Sequence, residues 1–209
     1  SVGDAGTVDT VLSATGNLVQ NGGSVQATNL GLDATDIGSA ANSFDTNVTN
    51  LAIDSEGNAY VEDADGVTLV NLVLATSANV PVIGNDATGD FRVEANGDLT
   101  VSDDVTGGDI TLEADGGNLT LNNSVGDAGT VDAVLMATGN LVQNGGTLTA
   151  ANLGLDGANI GSAATPVSID ADNLAVNADT DAFVSDTDDV TLVDSVTATA
   201  ANDTVTGNT

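Results

Sequence analysis

Along this chain a short pattern, Asn or Asp followed by apolar, any and apolar residues, returns about every 20 residues. That period lies in the range of stacked repeat architectures. It occurs at Asp9 (DTVL), Asn29 (NLGL), Asn50 (NLAI), Asn71 (NLVL), Asp90 (DFRV), Asp109 (DITL), Asp132 (DAVL), Asn152 (NLGL) and Asn173 (NLAV), with a degenerate tenth copy at Asp194 (DSVT). A second copy follows each first one closely, as at Asn17 (NLVQ), Asp36 (DIGS), Asn58 (NAYV), Asn79 (NVPV), Asp98 (DLTV), Asn118 (NLTL), Asn140 (NLVQ), Asn159 (NIGS) and Asp181 (DAFV). A looser third apolar patch includes Val67-Thr68-Leu69 and Val190-Thr191-Leu192.

Apolar residues at alternate positions mark strands with one buried face. Asn, Asp and Gly between them tolerate left-handed turn conformations. Helical periodicity fits almost nowhere. These features predict an all-β chain, a parallel β-solenoid of about ten coils of roughly 20 residues, running as one continuous segment over 1–209. At about 4.8 Å per coil it would be a rod about 48 Å long. Asn29, Asn50 and Asn71 are expected to stack their amides from coil to coil. Pro81 falls within a strand pattern and predicts an edge, bulge or distorted strand.

A longer repeat is superimposed. "SVGDAGTVDTVLSATGNLVQNGG" from Ser1 matches "SVGDAGTVDAVLMATGNLVQNGG" from Ser124, dividing the chain into 1–123 and a partial second copy, 124–209. The reading is six coils duplicated as a block.

Composition narrows the partners. The formal charge is −30, Arg92 is the only Lys or Arg, and His, Cys and Trp are absent. Nucleic acid needs cationic side chains that release counterions, so it is excluded as a partner, and anionic lipid is disfavoured for the same reason. The longest apolar run, "VTLVNLVLA", is too short to span a membrane, and no insertion is expected. Disorder, which such acidity often signals, conflicts with 41% apolar residues at regular spacing.

At "ATGNLVQNGG", "NLGLDATDIGSAAN" and "NAYVEDADGVTL" the chain resembles the filamentous-haemagglutinin-type repeats of large exported bacterial adhesins. The resemblance implies a single-stranded right-handed parallel β-helix at the cell surface or outside the cell, acting as a shaft segment. The amino-terminal secretion domain of that family, with its Asn-Pro-Asn-Leu-type motif, is not among these residues.

Ser-His and Cys-His nucleophile systems cannot be built without His or Cys, and β-helical lyases and polygalacturonases use sets of cationic side chains of which this chain has only Arg92. No catalytic residue and no bound cofactor is expected, and a carbohydrate-active β-helix is disfavoured. Calcium is the better candidate ligand, because hard cations take carboxylate and carbonyl oxygens. "EDADG", Glu62 to Gly66, holds an Asp-x-Asp-Gly core with Asp63 and Asp65, although the full calcium-loop pattern is missing. Asp90, Asp109 and Asp132 would stack as like charges unless a cation or a turn amide intervenes. The alternatives are an acidic turn in the first case and solvated carboxylates in the second.

The expected function is a structural rod or stalk segment of a large repetitive extracellular surface protein. The alternative is a calcium-dependent assembly or binding module forming a filament or sheath. Neither end shows a polar cap, so an axial neighbour is expected at both, either more of the same polypeptide or another copy.

Overall fold

The computed structural model describes residues 2–4, 6–75, 80–198 and 203–207. Among these, seventeen strands hydrogen-bond into one wound sheet, and every strand pairing within it is parallel. The sheet makes about nine turns spaced about 21 residues apart, so the chain is a parallel β-solenoid.

The strand alternation explains the core. Leu30, Leu51, Leu69, Val101 and Leu121 sit in register on successive turns, and all five are fully buried. A second inward column runs Leu32, Ile53, Asn85, Val105, Val125 and Leu148. Each turn therefore buries its apolar set against the turns on either side, at about 25 cal/mol per Å² of apolar surface removed from water. Phe91 is the bulkiest fully buried side chain in this narrow interior.

Two of the expected coils are not coils. Leu72–Ala75 and Val80–Ile83 form an antiparallel hairpin that leaves the solenoid after Val70 and returns at Asn85. The strands flanking it, Val67–Leu69 and Asn85–Ala87, together cover Asn50–Leu51 and Ile53–Ser55 of the turn below. The pattern at Asn71 thus belongs to a lateral excursion, and Asn79 lies outside the described residues. Pro81 falls in this two-stranded hairpin, opposite Leu74, where both strands are edges.

The degenerate pattern at Asp194 behaves likewise. Ser195–Ala198 and Asp203–Thr206 form a second antiparallel hairpin.

The physical reason lies in the outward positions beneath each hairpin. Val73 and Val82 are buried against Ala52, with Val11 and Val70 packed beside them. A Cβ on Gly31 would lie 2.8 Å from Val82 Cγ2, so only glycine lets the hairpin settle there. In the second copy Val196 and Val205 pack on Val134 and Ala175, and a Cβ on Gly154 would lie 3.0 Å from Val205 Cβ. Alternating apolar residues can thus be satisfied by docking on the flank, which makes a hairpin strand indistinguishable from a rung by periodicity alone.

The first hairpin also shifts the phase of the winding. Asp90 stacks over Asn58, 32 residues earlier, rather than over Asn71. The inward column Ile37–Ala59 continues as Phe91, Ile110, Ala133, Leu153 and Leu174. The first-pattern residues therefore form two columns on different faces instead of one, and the block repeat is not six coils stacked in phase. The two hairpins accordingly rest on different columns, one on Val11–Gly31–Ala52 and the other on Val134–Gly154–Ala175.

Candidate functional site

Three polar columns run along the solenoid at strand boundaries. In the first, Asn29 Nδ2 donates to Asp9 Oδ1 and Asn50 Nδ2 to Asn29 Oδ1, both at 2.7 Å. Asn71 does not extend it. That residue stands at the hairpin base, where its carbonyl accepts from Gly84 N at 2.8 Å.

The second column contains the expected aspartate run. Asp90, Asp109 and Asp132 are in register on consecutive turns. Backbone amides of two of these aspartates are bonded to the residue one turn below. Asn58 Oδ1 accepts from Asp90 N at 2.9 Å, and Asp109 Oδ1 accepts from Asp132 N at 3.3 Å. Tyr60 Oη donates to Asp90 Oδ2 at 2.6 Å, and burial together with that bond holds the phenol well above its usual range. Asn152 Nδ2 donates to Asp132 Oδ1 at 2.7 Å, and Asn173 Nδ2 to Asn152 Oδ1 at 2.8 Å. The third column runs from Asp98 through Asn118 and Asn140 to Asn159 by the same device.

Asp63 and Asp65 border the turn between Ala59–Asp63 and Val67–Leu69. Asp63 is fully buried and accepts from Thr46 Oγ1 at 2.7 Å, Val48 N at 2.9 Å and Asp65 N at 3.1 Å. Burial raises its pKa, and those three bonds oppose the shift. Asp65 is exposed and accepts from Asn47 Nδ2 at 3.3 Å. The turn therefore does not bring Asp63 and Asp65 together with the Asp90–Asp132 column. Among the described residues no group of three or more acidic side chains is placed to hold a metal ion.

Arg92 stands two residues after Asp90 without an ion pair to it. It instead gathers three other carboxylates. Its guanidinium lies 2.8 Å from Glu94, 3.5 Å from Glu113 and 3.1 Å from Asp203 of the second hairpin. Burial, with Glu94 and Asp203 close by, raises Glu113 to about 7, although Arg92 pulls the other way. The Asp203 contact spans 111 residues, and no spacing rule could have found it.

An outward column beside the first hairpin was also missed. Asp33, Asp54 and Asp86 are in register on three consecutive turns. Burial first, then Asp33 and Glu56, raises the pKa of Asp54; burial and Asp54 raise that of Asp86. The alternation that marks Leu32 and Ile53 as inward also places Asp33 and Asp54 outward, so this column could be inferred once the register is known.

At the far end of the wound sheet, Leu174, Val176, Ala182, Val184, Val190 and Leu192 line an open apolar depression of about 540 Å³.

No family model matches the chain, and no characterised protein or solved structure matches it. Fold and columns together define a parallel β-solenoid whose polar side chains serve largely to join one turn to the next.

Proposed function

We propose that the chain is a structural rod or stalk segment of a large repetitive extracellular surface protein, with no catalytic role. The observation that supports this most directly is how the polar columns are used. Asn and Asp side chains that could have formed a site instead bridge consecutive turns, adding side-chain ladders to the backbone ladders. The acidic exterior keeps such a rod soluble and discourages lateral collapse. A chain free of cysteine suits an exported protein held together by its core, and the acidic composition suits a saline exterior.

The reading includes axial stacking on another coil of the same kind. The open depression at Leu174, Val176, Ala182, Val184 and Leu192 supports it, because the matching first-copy residues Leu51, Ile53, Ala59, Val61 and Leu69 are fully buried. There the next turn supplies Phe91, Val93, Leu99 and Val101 in register or nearby. Sedimentation of the purified chain across a range of concentrations at high salt tests this part. End-to-end association that Leu192→Asp abolishes is expected; a monodisperse monomer throughout, unaffected by that substitution, counts against it.

A further inference from the structure

The two hairpins are copies of one device, differing throughout the outer face and at one inward position, where Asp203 replaces Val80. Their inner residues correspond across the long repeat, Val73 with Val196 and Val82 with Val205, and all four are buried. Their outer residues diverge. The first hairpin presents Leu72, Leu74, Pro81 and Ile83, of which Leu72 is 51% and Ile83 58% exposed. The second presents Ser195, Thr197, Thr204 and Thr206 at the matching places, with Thr197 and Thr204 hydroxyls hydrogen-bonded at 2.8 Å. A hairpin needed only to cover Gly31 and Ala52 has no use for an apolar outer face, since the second copy covers Gly154 and Ala175 without one.

A second difference lies beside it. The strand Val80–Ile83 runs through Gly84 into Asn85 and Asp86, and Asp86 continues the Asp33–Asp54 column. In the second copy Asn177 stands where the first has Asp54, and its Nδ2 donates to Asp156 Oδ2 at 3.0 Å. Only the first copy therefore places stacked like charges next to an exposed apolar strand. The corresponding column on the other face shows how such charges are met: Arg92 lies against Glu94 and Glu113 on adjacent turns. That leaves the chain's single guanidinium engaged elsewhere.

We propose that the outer face of the first hairpin, Leu72, Leu74, Pro81 and Ile83, docks a protein segment that presents Arg or Lys beside apolar side chains. The apolar side chains lie on the hairpin, and the cationic group sits over Asp33, Asp54 and Asp86 as Arg92 sits over Glu94 and Glu113. Charge complementarity selects this occupant. A second copy would bring another formal charge of −30 with its one arginine already ion-paired. Nucleic acid and anionic lipid are repelled for the same reason.

The test uses the full chain and synthetic nine-residue probes, one alternating Arg with Leu and one alternating Arg with Ser, read by fluorescence polarisation at physiological salt. The Arg/Leu probe is expected to bind about tenfold tighter than the Arg/Ser probe, a difference of about 1.4 kcal/mol. Replacing the outer face by its second-copy residues (Leu72→Ser, Leu74→Thr, Pro81→Thr, Ile83→Thr) should remove that advantage. Asp54→Asn, which leaves the hairpin intact, should weaken both probes severalfold. The reciprocal exchange (Ser195→Leu, Thr197→Leu, Thr204→Pro, Thr206→Ile, Asn177→Asp) should create a second binding equivalent, a gain that misfolding cannot mimic. Equal binding of the two probes, or unchanged binding by both the hairpin and Asp54→Asn variants, overturns the proposal in favour of general acidity. Self-association lost in the hairpin variant but untouched by the probe overturns it in favour of a second copy.

Discussion

Arg92 Nε and Asp203 Oδ2 lie 3.1 Å apart, so the only cationic side chain of a molecule with 31 acidic residues ties the solenoid wall to the second hairpin. The same guanidinium reaches Glu94 and Glu113 on neighbouring turns. Removing one partner of a largely buried ionic cluster leaves the others uncompensated, which costs more than the pair was worth. Arg92→Met is therefore expected to destabilise by about 2–4 kcal/mol. Hydrogen exchange should quicken first at Val196 and Val205, while Leu153 and Leu155 stay protected. Uniform quickening along the rod would mean that Arg92 holds the wall rather than the hairpin.

The small residues under the hairpins make a separate prediction. Gly31→Val and Gly154→Val each place atoms where Val82 or Val205 now sits. Overpacking of this kind costs about 1–3 kcal/mol. Limited proteolysis should cut within residues 70–84 in the first variant and 194–207 in the second, with the circular dichroism of the solenoid unchanged. Resistance equal to that of the parent chain would show that the hairpins do not need these glycines.

Stability should depend on pH with a definite sign. Glu113 is raised from 4.5 to about 7 in the folded chain, so between those values the native state holds a proton that the unfolded state has released. Stability therefore falls as pH rises through that window. The melting temperature is expected to drop between pH 5 and pH 8, and Glu113→Gln should flatten the slope and raise the value at pH 8. Asp54, Asp63 and Asp86 are shifted upward too and add to the trend at its acidic end. A melting temperature that climbs over the same range would contradict the assignment.

The ladders can be tested by a single atom exchange. Asn152 donates to Asp132 and accepts from Asn173. Asn152→Asp replaces the donor by a second carboxylate and is expected to cost about 1–3 kcal/mol at neutral pH, recovered in part when acid protonates the pair. Asn152→Ala should cost about 1 kcal/mol with no such recovery. Equal losses at all pH values for both variants would remove the ladder's charge-dependent role.

Calcium was a candidate because of Asp63, Asp65, Asp90, Asp109 and Asp132. In the structure Asp63 accepts from Thr46, Val48 and Asp65, and Asp90 accepts from Tyr60. Excess EDTA is expected to leave the melting curve unchanged, and calcium to stabilise no more than sodium chloride at matched ionic strength. A calcium-specific rise of several degrees would favour the calcium-dependent assembly module over the plain rod.

Much of the architecture was legible because a solenoid writes its core in one dimension. Leu30, Leu51 and Leu69 recur at the spacing of the turns, and Asn29 and Asn50 stack as their spacing implies. The hairpins were not legible from periodicity, since Leu72-Val73-Leu74 alternates as a rung would. A signal was nonetheless present: across the long repeat Val73 and Val82 are retained as Val196 and Val205, while the residues on either side of each, Leu72, Leu74, Pro81 and Ile83, change to Ser or Thr. Arg92 with Asp203, and Asp33 with Asp86, depend on which face the chain reaches after an excursion, and that is fixed by packing on Gly31 and Ala52 for the first hairpin and on Gly154 and Ala175 for the second.

The central claim is that the molecule is a rod which lengthens turn upon turn while its hairpins stay lateral. Small-angle X-ray scattering from chains carrying one, two and three copies of the 123-residue block tests it most directly. Each added block is expected to lengthen the particle by about 25 Å, a little over five turns at about 4.8 Å each, with a constant cross-sectional radius. A cross-section that grows with copy number, or a length that stops increasing, contradicts it.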